Sequence, residues 1–320
     1  MCIRDRCNKD GLHTVSAKVV IDASGDGDVA AWAGAPMTKG RPEDGAAQPM
    51  TMTMKYSGVD TERLKGYVLA HPDRFPKLAP YLHLFRQSIA VDLEGFDEEF
   101  AQAKAAGELS IPRENVLMFA TGRPGEYILN TTRIIDHDAT DAASLSDAER
   151  IGRRQCAELD RFLRRYAPGF EAATLVCTGP SVGVRGSRQL VGRYTLTAED
   201  ILTRRKFPDV IAHSGYPIDI HNPRGEGTTA VFMSEPGMYY AIPFSIMVCH
   251  EISNLLVTGR CVSATFEAQA AIRLTPSAGA MGQAAGVAAA MMAAGAGNAD
   301  ALDIPALQQR LRDQGAYLEA

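Results

Sequence analysis

The chain has 320 residues, 46% of them hydrophobic and 22% charged, enough to bury a sizeable core in one large or two modest domains. Its formal net charge of −5 leaves no basic footprint for nucleic acid. Cys2, Cys7, Cys156, Cys177, Cys249 and Cys261 form no C-x-x-C pair, no zinc spacing and no tight cluster of the iron–sulfur kind. Reduced thiols in a cytoplasmic protein, without a metal site, are the expectation.

In chain order, the opening MCIRDR resembles the leader produced when sequencing-adapter DNA is translated, so residues 1–6 are set aside from the fold. Val19, Val20 and Ile21 form a continuous β-branched run, which suits a strand buried on both faces of a parallel sheet. Gly25 and Gly27 then permit a sharp turn, and residues 28–33 have the composition of a short helix ended by Gly34 and Pro36. Gln48 to Tyr56 alternates like a strand with one buried face, and polar helical patterns fill residues 60–107. Ser146 and Glu149 have capping-box spacing, which predicts a helix from there to about Tyr166. Its apolar side is Ile151, Cys156, Leu159, Phe162 and Leu163; its charged face, Arg153, Arg154, Glu158, Arg161, Arg164 and Arg165, reads as solvated. Thr197 to Asp200 opens another short helix.

Toward the C-terminus the strand, glycine turn and helix recur. Leu255 to Val257 is an apolar run that stops at Gly259, and after a polar turn a helix opens near Pro276 and Ser277. Free N–H groups in its first turn carry about half a positive charge, so that end can hold a phosphate or a polarisable carbonyl. Gly279, Gly282 and Gly286 fall on one face, where missing side chains admit a flat ring or another backbone; tight helix packing is the ordinary use of such a pattern. The run from Ala278 to Asn298 is uncharged, but Ala and Gly add little hydrophobicity, so a helix buried against a sheet is expected rather than a membrane span. Asp303 and Pro305 start a last amphipathic helix.

Four stretches carry a family resemblance: IDASGDGDVAAWAGAP at residues 21–36, GPSVGVRGSRQLVGRYTLTAED at 179–200, YPIDIH at 216–221, and NLLVTGRCVSATFEAQAAIRLTPSAGAMGQAAGVAAA at 254–290. Together they resemble FAD-dependent oxidoreductases with a glutathione-reductase-type dinucleotide fold, and more narrowly the heterodisulfide reductase A-like branch. The resemblance implies an α/β protein. Its Rossmann-like FAD-binding domain would occupy residues 7–57 and 244–300, interrupted by an α+β substrate domain at 58–243 and followed by a helix at 301–320. Such a fold begins with a strand leading into Gly-x-Gly-x-x-Gly, with an acidic residue about 20 positions later. Neither is present, so an N-terminally truncated fragment lacking the first βαβ unit is expected, and weak FAD binding by the fragment with it. Two smaller departures are Gly186, where the family pattern has an acidic residue, and Phe266, where it has a histidine.

The resemblance also implies roles. FAD is the cofactor, and the intact protein passes a hydride or electrons between a small-molecule substrate and FAD. Gly25, Asp26 and Gly27 would approach the adenosine side; Gly259, Arg260 and Glu267 the ribityl or pyrophosphate. Pro276, Gly279, Met281, Gly282 and Gln283 would aim the helix start at the flavin N1 and C2 carbonyl, where about 1 kcal/mol of stabilisation shifts a two-electron potential by roughly 20 mV. Arg185, Arg188, Tyr194, His221 and Tyr240 are candidates for substrate anion binding or proton transfer. His221 leads because Asp219, two positions earlier on a strand, faces the same side. An alternative class is an electron-transfer subunit holding FAD for an iron–sulfur partner, and a remote one is a non-catalytic degenerate fragment. Asp22, Asp26 and Asp28 faintly resemble a cation loop, but Asp22 closes an apolar strand and no twelfth-position Glu follows.

Overall fold

The computed structural model describes residues 3–88, 91–233, 237–295 and 297–319. Met1 and Cys2 of the set-aside leader lie outside them. Contacts group the chain into two compact units: residues 1–48, 185–220 and 228–320 form the first, residues 49–184 and 221–227 the second. These boundaries differ from the expected breaks after residues 57 and 243. The reason is pairing: Arg188–Leu190 runs antiparallel to Met37–Lys39, and Val210–Ser214 pairs with Tyr240–Pro243, which ties residues 185–220 to the first unit.

At the centre of the first unit the strands Val20–Asp22 and Leu255–Val257 pair in parallel, with Ile21 opposite Leu256. Leu255, Leu256 and Val257 are fully buried, as a strand covered on both faces should be. The same expectation fails for the earlier strand, since Ile21 is 38% exposed and Val20 is half-buried. Among the described residues that strand pairs with one other strand, Leu255–Val257. The glycine-rich helix Thr275–Ala294 packs on both strands and buries Met281, Ala284, Ala285, Ala288 and Met292. Two capped helices close the unit. Thr197 and Asp200 form a complete capping box on Ala198–Leu202, and Asp303 accepts from the Ala306 N–H to start Ile304–Asp313. Residues 3–6, set aside as leader, belong to the strand Ile3–Asn8, which forms a hairpin with Gly11–Ser16.

The second unit is a five-stranded antiparallel sheet with helices. Its strand order is Leu93–Gly95, Val116–Ala120, Tyr127–Leu129, Met54–Ser57, Thr174–Thr178. Met50, Met52, Met54 and Tyr56 point into its core, the face predicted by the alternation. The long helix Ala142–Tyr166 ends where expected but starts earlier than Ser146. Asp141 is the cap, accepting from the Ser144 N–H at 2.7 Å, because the Ala-Ala-Ser-Leu stretch between it and Ser146 is itself helix-compatible. The expected solvated face also needs one correction. Glu158 is 9% exposed, its carboxylate accepting from the Ser110 N–H and hydroxyl at 2.8 and 2.9 Å. No helix among the described residues is long and apolar enough to cross a membrane.

Candidate functional site

The two parallel strands of the first unit deliver two glycine turns to the same, carboxyl end of the pair. Open α/β sheets bind ligands at that end. After Asp22 the chain turns through Gly25 (φ +83°) and Gly27 (φ +65°) into the helix Asp28–Trp32; after Val257 it turns through Gly259 (φ +93°). Asp22 organises the first turn from inside. Fully buried, it accepts from the N–H groups of Ser24 at 2.9 Å and Ala30 at 2.7 Å.

Arg260, from the second turn, lies across the first. A Cβ on Gly25 would collide with its Nη1, so a side chain there would push the guanidinium out of this place. Arg260 Nη2 donates to Asp26 Oδ1 at 2.9 Å, and the Ser187 hydroxyl donates to the same oxygen. Arg188 donates to Asp28 Oδ1 at 2.7 Å and to the Asp26 carbonyl at 3.3 Å. Each aspartate of the turn thus accepts from protein donors, and no metal-ligand cluster occurs among the described residues. Two polar atoms stay unpartnered at this edge: the buried Thr258 Oγ1 and Arg260 Nε. A buried polar atom without a partner costs about 1–3 kcal/mol.

A hydrogen-bonded chain runs on from Arg260. The Gln269 amide donates to the carbonyls of Arg185 at 2.8 Å and Arg260 at 3.4 Å, and its oxygen accepts from Gln48 at 3.3 Å. Arg273 donates to Gln48 at 3.3 Å and to the Asp219 carbonyl at 3.2 Å; Tyr216 donates to Asp219 Oδ2 at 3.2 Å. Burial holds the Arg273 guanidinium below its ordinary value, with Asp219 and Tyr216 acting against it, and burial followed by the Asp219 charge raises Tyr216. Gly186 belongs to this design. A Cβ there would sit 3.1 Å from the Gln269 amide nitrogen, so any side chain at this position would press on Gln269.

The remaining expected residues are dispersed. Tyr240 is 1% exposed, donates to the Ala271 carbonyl at 3.1 Å and is pushed up to about 12 by burial, which makes it a core residue. Tyr194 donates to the Asp200 carboxylate at 2.8 Å and accepts from Arg205. Met281 turns its side chain into the core, whereas Gly279 and Gly282 face open space. Glu267 lies in the first turn of Phe266–Ile272, a helix capped by Thr265; Phe266 is its half-buried first residue. Pro276 is exposed in the first turn of the glycine-rich helix, which no side chain caps. Gln283 is drawn away from the helix start by Gln314 at 3.1 Å, beside a hollow of about 500 Å³ lined by Gly286, Val287 and Arg310.

His221 belongs to the second unit, where Arg133 is one of its partners, Nη2 lying 3.3 Å from Nδ1. Sequence reasoning missed Arg133, Gln48, Gln269, Arg273, Ser187 and Thr258. None sits in a spaced motif of titratable groups, and Gln48 and Gln269 meet from opposite ends of the chain. A family profile described as FAD dependent oxidoreductase matches residues 4–311. No curated protein and no solved structure matches the chain.

Proposed function

We propose, from the premise that the chain belongs to the FAD-dependent oxidoreductase family, that its first unit holds FAD across the two glycine turns and that the intact protein passes a hydride or electrons between a small-molecule substrate and that cofactor. The observation that carries the reading is the pair of turns at the carboxyl ends of adjacent parallel strands, with Arg260 laid across Gly25 and two polar atoms left unpartnered. FAD, when bound, supplies the two-electron acceptor. In this reading Thr258 and Arg260 donate to its phosphate or ribityl oxygens, Gly25, Asp26, Gly27 and Gly259 admit its backbone-hugging portion, and the uncapped start of Thr275–Ala294 faces a polarisable carbonyl. The open face at Gly279 and Gly282 suits a flat ring.

The finer reading is a glutathione-reductase-type arrangement of the heterodisulfide reductase A-like branch. Its Gly-x-Gly-x-x-Gly loop and ribose-binding carboxylate would come from chain preceding these residues. The strand Val20–Asp22, which pairs with one other strand among the described residues, supports that reading, because its second edge offers a place for further strand pairing. His221 is the residue proposed for proton transfer with substrate, and Arg185 for holding a substrate anion; Arg188, bound to Asp28, is assigned to shaping the turn. Thiols left free at Cys7, Cys156, Cys177, Cys249 and Cys261 fit a cytoplasmic setting.

The test is an FAD titration followed by flavin fluorescence. The 320-residue chain is expected to bind weakly, and protein extended by its natural upstream codons tightly. In the extended protein Gly25→Val, which drives Arg260 from its place, should weaken binding at least tenfold. Equal affinity of Gly25→Val and wild type would refute the assignment of the turn.

A further inference from the structure

The second unit contains a buried arginine that the FAD reading does not use. Arg133 is 2% exposed, and its own peptide is clamped on both sides by Gln155, whose Oε1 accepts from the Arg133 N–H and whose amide donates to the Arg133 carbonyl, each at 2.9 Å. From this fixed base Arg133 Nη1 donates to the carbonyls of Gly225 and Gly227, both at 2.9 Å. Those glycines have φ of +143° and +96°, conformations that other residues rarely adopt, and this is what turns both carbonyls toward one nitrogen. The loop is held at further points. The Asn222 N–H donates to the Gly227 carbonyl at 3.0 Å, Arg224 pairs with Asp136 at 2.9 Å, and Lys104 pairs with Glu226. Residues 221–227 are therefore fastened to the second unit.

The other end of the guanidinium meets His221 Nδ1 at 3.3 Å. Arginine offers only N–H donors and keeps its proton throughout the accessible pH range. Nδ1 must therefore present its lone pair. We propose that Arg133 is a positioning residue that fixes His221 in the neutral tautomer with the proton on Nε2, so that Nε2 is the nitrogen through which His221 exchanges a proton. The inference rests on the reading of His221 as the proton-transfer residue for its consequence, though not for its geometry. It also gives the glycine loop a purpose: Gly225 and Gly227 aim the guanidinium, and the guanidinium aims the ring. A ring oriented by a partner on its far nitrogen is how histidines are commonly set for proton transfer.

The test uses ring-¹⁵N-labelled histidine in the full chain at about pH 8.5, above the ordinary histidine value of about 6.5. Of the seven histidines, His221 is identified by the signals lost in His221→Gln. The expected wild-type pattern has Nε2 protonated and Nδ1 unprotonated. In Arg133→Met both nitrogens should move to shifts averaged between the two tautomers. Because loss of a buried guanidinium can unfold the unit, Arg133→Lys is a second variant, able to keep the charge but not to span two carbonyls and the ring; it should shift His221 in the same direction. A wild-type ring protonated on Nδ1 overturns the proposal, as does an unchanged tautomer in a folded Arg133 variant. FAD titration of wild-type protein extended by its natural upstream codons keeps the two ideas apart. An Nε2–H ring together with no FAD binding by the extended protein supports the assignment and counts against the FAD-site reading alone.

Discussion

Asp22 shows how one side chain fixes the turn on which the rest of the site depends. Its carboxylate is fully buried and holds the Ser24 and Ala30 N–H groups, so the chain between them must loop outward to present Gly25 and Asp26. Asp22→Ala would strand one buried donor, the Ala30 N–H, and free the part-buried Ser24 N–H, and we expect it to lower unfolding stability by about 1–3 kcal/mol. Urea denaturation followed by circular dichroism measures this. A loss below about 0.5 kcal/mol would mean that the turn holds itself. The sequence made Asp22 visible only as the end of an apolar run, and its inward carboxylate could not be read there. Arg133 was less legible still, since an arginine following two threonines carries no spacing signal and its partners are backbone carbonyls about 90 positions away.

At the scale of elements, caps were legible where side chain and backbone satisfy each other locally and misplaced where helix-compatible residues precede the expected cap. Thr197 and Asp200 formed the box that their spacing predicts, whereas Ser146 lost to Asp141. Asp141→Ala should destabilise the long helix by about 1 kcal/mol. Ser146→Ala should cost less than about 0.5 kcal/mol, and thermal melts of the two variants separate the alternatives. Asp200 adds a dependence on pH. Burial pushes its carboxyl up, but hydrogen bonds from Tyr194, Thr197 and Arg205 outweigh burial and hold it below the usual range. A carboxyl depressed in the folded state contributes stability that is complete above its unfolded value, about 3.9, and drains away as pH falls through the lower folded value. Wild type should therefore lose more stability than Asp200→Asn between about pH 5 and pH 2, read from urea midpoints. Parallel losses would contradict this account of the cap.

The glycine-rich helix separates stability from binding. A Cβ on Gly279 would meet nothing within 4 Å, so Gly279→Ala should gain about 1 kcal/mol of helix propensity. If the open face receives the flavin ring, the same change should weaken FAD binding severalfold. A rise in melting temperature with unchanged FAD affinity would move the ring elsewhere.

Across the whole molecule, the parallel strand pair and its two glycine turns were legible because β-branched runs and glycine stops are local signals. The division into units was not, because it depends on three-residue strands pairing across about 150 positions, such as Met37–Lys39 with Arg188–Leu190. Burial of Ile21 was misjudged for a related reason: a strand's own composition does not reveal what packs on each of its faces. Cysteine reactivity tests the burial pattern of both units together. Cys7 and Cys177 are exposed, while Cys156, Cys249 and Cys261 are buried, with Cys156 and Cys261 pushed up to about 12 by burial. Peptide mapping after brief alkylation of native protein should find label at Cys7 and Cys177 and leave the three buried thiols untouched until denaturant is added.

The most direct measurement of the central claim is hydrogen–deuterium exchange of the protein, expressed from its natural reading frame, with and without saturating FAD. Slowed exchange is predicted in peptides covering residues 23–30 and 258–262 and the first turns of Thr275–Ala294. Bound FAD that leaves both glycine turns exchanging at their free rate would contradict the account.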